Sequence, residues 1–238
     1  MIPLKRALSS PVGRKFVMSL SGIALVLFVI VHLLGNLTLF FPGEDGENFN
    51  DYAAFFADLG PVLYIIELGL LVVIVVHMAW GISTWLKNRN ARPENYGTGQ
   101  QSKGGPSNLS LLSKNMIFTG GTLGIFLIVH LWHFRVRKEM GSVKEEYGTY
   151  ETAGGREVAD LYAMVEGSFS SPGWVIFYVA SMFFLGFHLR HGFWSALQSL
   201  GAMKPEWSKG IYAIGLVVAV ILAVGFMGIP IWMFIEAN

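Results

Sequence analysis

Six histidines carry most of the chemical capacity of this sequence: His32, His77, His130, His133, His188 and His191. All lie within, or at the ends of, long apolar stretches. An ionisable ring in such a place is costly, so it is kept to ligate, to move a proton or to hydrogen-bond. One such ring alone reads as readily as a hydrogen bond between helices. Four apolar stretches with at least one each shift the balance to ligation. The chain has no Cys. That excludes disulfides, thiolate zinc, an iron–sulfur cluster held by this chain and covalent haem attachment through CxxCH. Any metal or cofactor must be held by His, Met, carboxylate or packing.

The elements that must position these rings are membrane spans. Of 238 residues, 53% are hydrophobic and only 14% charged, with mean hydropathy +0.51; soluble domains carry about 25% charged residues. Five stretches exceed the roughly 20 residues a bilayer crossing needs. They are expected near 16–41, 61–86, 112–134, 172–200 and 208–235. The first follows Arg14 and Lys15 but is too long for a signal peptide and ends without a small-residue cleavage site. The expected fold class is an all-α integral membrane protein, one transmembrane domain over 1–238. Four helices form the ligand-bearing bundle, and a fifth, without His, is added to it.

Charge sets the orientation. Lys5, Arg6, Arg14 and Lys15 precede the first span. Lys87, Arg89, Arg92, Lys103 and Lys114 lie between the second and third, and Lys204 and Lys209 between the fourth and fifth; Glu94 and Glu206 are the acids there. The loop between the first two spans carries Glu44, Asp45, Glu47, Asp51 and Asp58 and no Lys or Arg. The loop between the third and fourth is mixed. The positive-inside rule then puts the N-terminus in the cytoplasm and the C-terminus outside. Each outer loop holds a short amphipathic stretch, Phe49, Tyr52, Ala53 and Phe56 in one and Val158, Leu161, Tyr162 and Val165 in the other. Each is followed by a Pro, Pro61 or Pro172, with a His sixteen residues further on. This hints at a repeat of two helix pairs. Residues 95–108 read as a cytoplasmic linker.

Depth pairs the histidines. His32 lies 17 residues after Lys15 and His130 16 after Lys114, roughly 25 Å from the cytoplasmic ends at 1.5 Å per residue. His77 and His188 lie 16 residues below the outer prolines. Because these runs go in opposite directions, His32 and His130 share an outer level, and His77 and His188 an inner one. Two imidazoles facing each other across a bundle at two levels suit two haems b with bis-His iron. The doublets His130/His133 and His188/His191 are i, i+3 pairs that also suit a non-haem metal such as iron or zinc. No acid lies near either doublet on its span, and Arg190 opposes a cation. His133 and His191 read as interfacial or inter-helix hydrogen-bonding groups, with a propionate contact as the alternative. Candidate propionate partners are Arg14, Lys15, Ser19, Ser21, Ser83, Trp85, Lys87, Arg190 and Trp194 at the inner level, and Trp132 and Arg135 at the outer. Arg190 is favoured, because an Arg inside a span needs an anion. The other basic residues read more readily as interface anchors.

The motifs resemble those of the dihaem cytochrome b558 subunit of succinate:quinone oxidoreductases, the five-helix single membrane anchor. The resemblance rests on SSPVGRKFVMSLSGIALVLFVIVHLLGNL around His32 and VVHMAWGISTWLKNRNARPENY around His77. It continues in NMIFTGGTLGIFLIVHLWHF around His130 and LYAMVEGSFSSPGWVIFYVASMFFLGFHLRHGFWSALQSLG around His188. It implies the same four axial ligands and the same pairing, His77 with His188 and His32 with His130. It implies partners too: a flavoprotein subunit with covalent FAD that oxidises succinate, and an iron–sulfur subunit. Electrons would pass to a quinone, most often menaquinone in five-helix members, in a bacterial cytoplasmic membrane. Fumarate reduction uses the same architecture. Some fumarate-reducing members carry a Glu two residues before the fourth ligand; here that residue is Gly186, which favours succinate oxidation. Members with an outer quinone site use an acid before the second span, for which Asp51, Asp58 and Glu67 are candidates and Asp51 the choice, although Asp51 reads more readily as a solvated loop acid. Glu67, about 9 Å inside its span, is expected to be protonated or paired. No nucleic-acid partner is expected, and a higher oligomer of the complex is left open. Two other readings stand beside this one: a dihaem anchor for another quinone-linked dehydrogenase, and a His-relay proton or ion transporter. The second needs acids along a path, and the spans carry almost none besides Glu67.

Overall fold

The structure is a computed structural model that describes residue 6 and residues 10–90, 115–152 and 154–238. The expected linker 95–108, the start of the third span at 112, and the charges Lys5, Arg92, Glu94, Lys103 and Lys114 lie outside the described residues. Among the described residues five helices are long and apolar enough to cross a membrane, and the protein is an all-α multi-pass membrane protein. In chain order, α1 is Pro11–Asn36, α2 Glu47–Asp58, α3 Pro61–Asn90, α4 Met116–Glu139, α5 Ser142–Tyr147, α6 Leu161–Phe169, α7 Pro172–Ser199 and α8 Pro205–Ala237. The spans are α1, α3, α4, α7 and α8.

Local chemistry starts these helices where they start. Proline opens α1, α3, α7 and α8, at a position where its missing N–H has no helical partner to lose. The Ser10 hydroxyl accepts from the Gly13 N–H at 3.0 Å, and the Asp160 carboxylate caps α6 by accepting from Ala163 N–H at 2.9 Å. The third span runs past its expected end at 134 to Glu139. It does so through a π-helical turn over Leu131–Val136, which keeps the chain helical while changing the angular phase of the residues beyond it.

Four spans form a ring in the order α1, α3, α4, α7, with α7 closing on α1. Helices α1 and α4 therefore face each other across one diagonal, and α3 and α7 across the other. Helix α8 packs outside the ring on α7 and α1. Its inner edge carries Gly215, Ala219 and Ala223, four residues apart, and small residues let membrane helices approach closely. A Cβ on Gly215 would lie 2.9 Å from Phe193 Cδ1, and one on Gly225 2.8 Å from Leu33 Cδ2. A Cβ on Gly186 of α7 would lie 3.0 Å from Ala223 Cβ.

The outer end is covered by α2 and α6, as the amphipathic spacing predicts, with one correction. Val158 is not part of the second helix. It sits in a small antiparallel hairpin, β1 Thr149–Glu151 with β2 Glu157–Ala159, because Asp160 is the N-cap and the helix starts only at Leu161. Asn50, 1% exposed, ties the two outer segments together. Its Oδ1 accepts from Leu161 N–H at 2.9 Å and Tyr162 N–H at 3.1 Å, and its Nδ2 donates to Asp160 Oδ1 at 2.9 Å.

Candidate functional site

Each expected histidine pair spans one diagonal of the ring. His77 of α3 and His188 of α7 have ring centroids 6.3 Å apart, with planes at 71°. His32 of α1 and His130 of α4 have centroids 5.9 Å apart, with planes at 85°. A metal ion bonded at about 2 Å to one nitrogen of each ring puts the two centroids about 6 Å apart. Both separations have the span of a bis-imidazole site.

The inner pair is held by hydroxyls. Ser21 Oγ lies 3.1 Å from His77 Nδ1 and donates to the Val17 carbonyl at 2.8 Å. Thr119 Oγ1 lies 3.2 Å from His188 Nδ1 and is 3.2 Å from the Met116 carbonyl, to which it donates. A hydroxyl has one proton to give. With that proton on a carbonyl, each oxygen accepts from Nδ1–H, and each ring keeps its Nε2 lone pair for a ligand. The outer rings are held by stacking instead. Phe28 lies against His32 at 5.3 Å and 17°, and Phe126 against His130 at 5.3 Å and 24°.

A repeat explains the symmetry. Met18, Gly22, Leu25, Phe28, Ile30, Val31, His32 and Leu33 recur 98 residues later as Met116, Gly120, Leu123, Phe126, Ile128, Val129, His130 and Leu131. Ser21 aligns with Thr119 in the same register. The Pro-to-His spacing reflects the matching pair, α3 and α7. Aligning α1 with α4 on their histidines is the signal that reveals both the hydroxyls and the stacked phenylalanines.

The remaining residues separate by level. At the inner end Arg14 Nη1 donates to Ser83 Oγ at 2.8 Å, so two of the expected propionate candidates meet. Ser19 is buried and donates to the Lys15 carbonyl at 2.8 Å, while the Lys15 and Lys87 side chains are exposed. Arg190 is exposed, since two residues from His188 is about 200° of helix rotation. His191, three residues on, is buried beside Trp194, with ring centroids 5.1 Å apart. Among the described residues, His191 Nδ1, Trp194 Nε1, Thr84 Oγ1 and His130 Nδ1 are buried without a hydrogen-bond partner. Buried polar groups need partners, so these atoms fit a bundle built around a polar-edged group.

At the outer end, Glu67 takes a bidentate hold on Arg135, at 2.8 Å and 2.9 Å, and Arg135 also pairs with Glu139. The pairing neutralises charges inside the span. Asp51 lies by Tyr150, whose phenol is pushed up from its ordinary value by desolvation and then by the Asp51 and Glu47 carboxylates. Asp58 pairs with Arg156. The three candidate acids thus have three separate partners. His133 is buried, with Nδ1 3.2 Å from Tyr178 Oη and Nε2 3.1 Å from Ser168 Oγ; it joins α4 to α7 and α6. Trp132 is exposed. Among the described residues, no group of three or more His, Cys, Asp or Glu is arranged to hold a non-haem metal ion.

Residues 14–93, about a third of the chain, match the model of the succinate dehydrogenase/fumarate reductase transmembrane subunit family. The matched segment holds α3, nearly all of α1, and both His32 and His77. It supports the resemblance drawn from the motifs and a role as the membrane subunit of such an enzyme complex. No curated protein and no solved structure matches the chain.

Proposed function

We propose that this chain is a dihaem cytochrome b, the membrane anchor that passes electrons between an iron–sulfur subunit and a membrane quinone in a succinate:quinone oxidoreductase. The observation that carries the reading is the pair of facing imidazoles on each diagonal, 6.3 Å apart at one level and 5.9 Å at the other. Two haems b held there would supply reversible one-electron chemistry in the bundle. His77 and His188 hold the inner group, and His32 and His130 the outer one. Ser21 lies eleven residues before His32, three helical turns, so the two levels are about 16 Å apart along α1. Arg14 and Ser83, with Thr84, His191 and Trp194, provide donors for anionic groups at the inner level. The apolar helices keep water from both levels.

The N-terminus lies in the cytoplasm and the C-terminus outside, in a bacterial cytoplasmic membrane. A flavoprotein with covalent FAD carries the dicarboxylate chemistry, and the iron–sulfur clusters belong to the other partner, since this chain has no Cys. Menaquinone is the proposed quinone, with Asp51 or Glu67 at an outer site, and succinate oxidation the working direction. That direction is favoured by Gly186, which stands where some fumarate-reducing members carry a Glu.

A pyridine haemochrome assay tests the reading directly. Two haems b per chain are expected, and a purified chain without haem overturns it. Copurified covalent flavin with succinate-dependent dye reduction identifies the partner enzyme. Haem without either points to another quinone-linked dehydrogenase. Transport by haem-free vesicles would favour the His relay.

A further inference from the structure

We infer that Ser21 and Thr119 are positioning residues, which fix the tautomer and aim of the inner histidine pair and so set it apart from the outer pair. The inference rests on the dihaem reading for its consequence but not for its geometry. Each hydroxyl belongs to a helix next to the one that bears its histidine: Ser21 of α1 serves His77 of α3, and Thr119 of α4 serves His188 of α7. Each is buried, and each donates to a carbonyl of its own helix. That leaves an oxygen lone pair facing the ring and requires Nδ1 to carry the proton.

A glycine completes each cradle. A Cβ on Gly22 would lie 3.4 Å from His77 Cε1, and one on Gly120 3.3 Å from His188 Cε1. Ser21-Gly22 and Thr119-Gly120 are therefore the same device used twice. The hydroxyl holds one edge of the ring, and the missing side chain leaves room for the adjacent carbon. Among the described residues His130 has no such partner, and its Nδ1 is buried.

The consequence is electronic. An imidazole whose second N–H is held by an acceptor is a stronger donor to its metal, and loss of such a contact typically costs 10–100-fold in affinity or activity. A stronger donor favours the oxidised metal. The hydroxyls therefore lower the potential of the inner haem, and the outer haem lacks this influence at His130.

The test has two arms on the full-length protein. Nitrogen-15 NMR of the haem-free chain reads the tautomers. His77 and His188 are expected as Nδ1–H, with Ser21→Ala disturbing His77 alone and Thr119→Val disturbing His188 alone. Ser21→Thr and Thr119→Ser should restore each. In the haem-loaded chain, redox titration of Ser21→Ala and Thr119→Val should move the inner midpoint upward and leave the outer unchanged. Nε2–H rings in the parent chain, tautomers indifferent to the hydroxyls, or equal shifts at both haems would overturn the inference. A chain with the expected tautomers that binds no haem would instead overturn the functional reading and leave the positioning role standing.

Discussion

At the residue scale, the four paired histidines make separable demands. Replacing His32 or His130 with Ala should remove the outer haem and spare the inner one; His77→Ala or His188→Ala should do the reverse. Haem content near one per chain, with one of two redox transitions missing, is the expected result, because the pairs use different diagonals and share no ligand. Asn50 makes a different demand. Asn50→Ala removes three hydrogen bonds at a buried site and strands two backbone N–H groups of α6. The expected loss is about 2–4 kcal/mol, read as a lower thermal midpoint in detergent. The pairing of the histidines was legible from sequence because helical rise turns spacing into depth, and the rings expected at one level do face each other. Asn50 was not legible. It is one polar residue in a short amphipathic helix, and its partners lie 110 to 112 residues away.

At the element scale, the π turn in α4 and the small edge of α8 carry information that hydropathy does not. Hydropathy places five spans because apolar length alone decides crossing, but it sees no angular phase. The π turn presents His133 to Tyr178 and Ser168, and Arg135 to Glu67, so two residues two apart serve different neighbours. Glu67→Gln should destabilise the chain by leaving Arg135 short of countercharge. The Glu67→Gln, Arg135→Gln double variant should be less unstable than the two single losses summed, as thermal unfolding can measure. The α7–α8 interface predicts a steric effect. Gly186→Leu drives a side chain against Ala223 and should cost about 1–3 kcal/mol or more, with Gly186→Ala milder and haem content preserved in both. The glycine-rich spans pointed to close packing, but which glycines face a neighbour depends on rotations that composition does not contain.

At the scale of the whole molecule, ion pairing sharpens the orientation. The loop between α4 and α7 is mixed in charge, and counted from sequence it weakens the positive-inside signal. In the folded chain, Arg135, Arg137 and Arg156 are paired with Glu67 and Glu139, with Glu146 and with Asp58 respectively. Lys87, Arg89, Lys204 and Lys209 lie toward the opposite end of the spans, in segments to which the sequence gives few acids. Positive excess therefore belongs to one face, the face that also carries the inner histidine level and would receive electrons from a partner subunit. An odd number of crossings puts the two chain ends on opposite sides. Because the chain has no Cys, single introduced cysteines report on this without background. Asp45→Cys and Asn238→Cys should react with an impermeant maleimide on intact cells. Lys87→Cys and Glu206→Cys should react only after permeabilisation. The reverse pattern would invert the protein in the membrane, and with it the assignment of His77 and His188 to the cytoplasmic side. Their partnership would survive, since it follows from the diagonals of the bundle and not from its orientation.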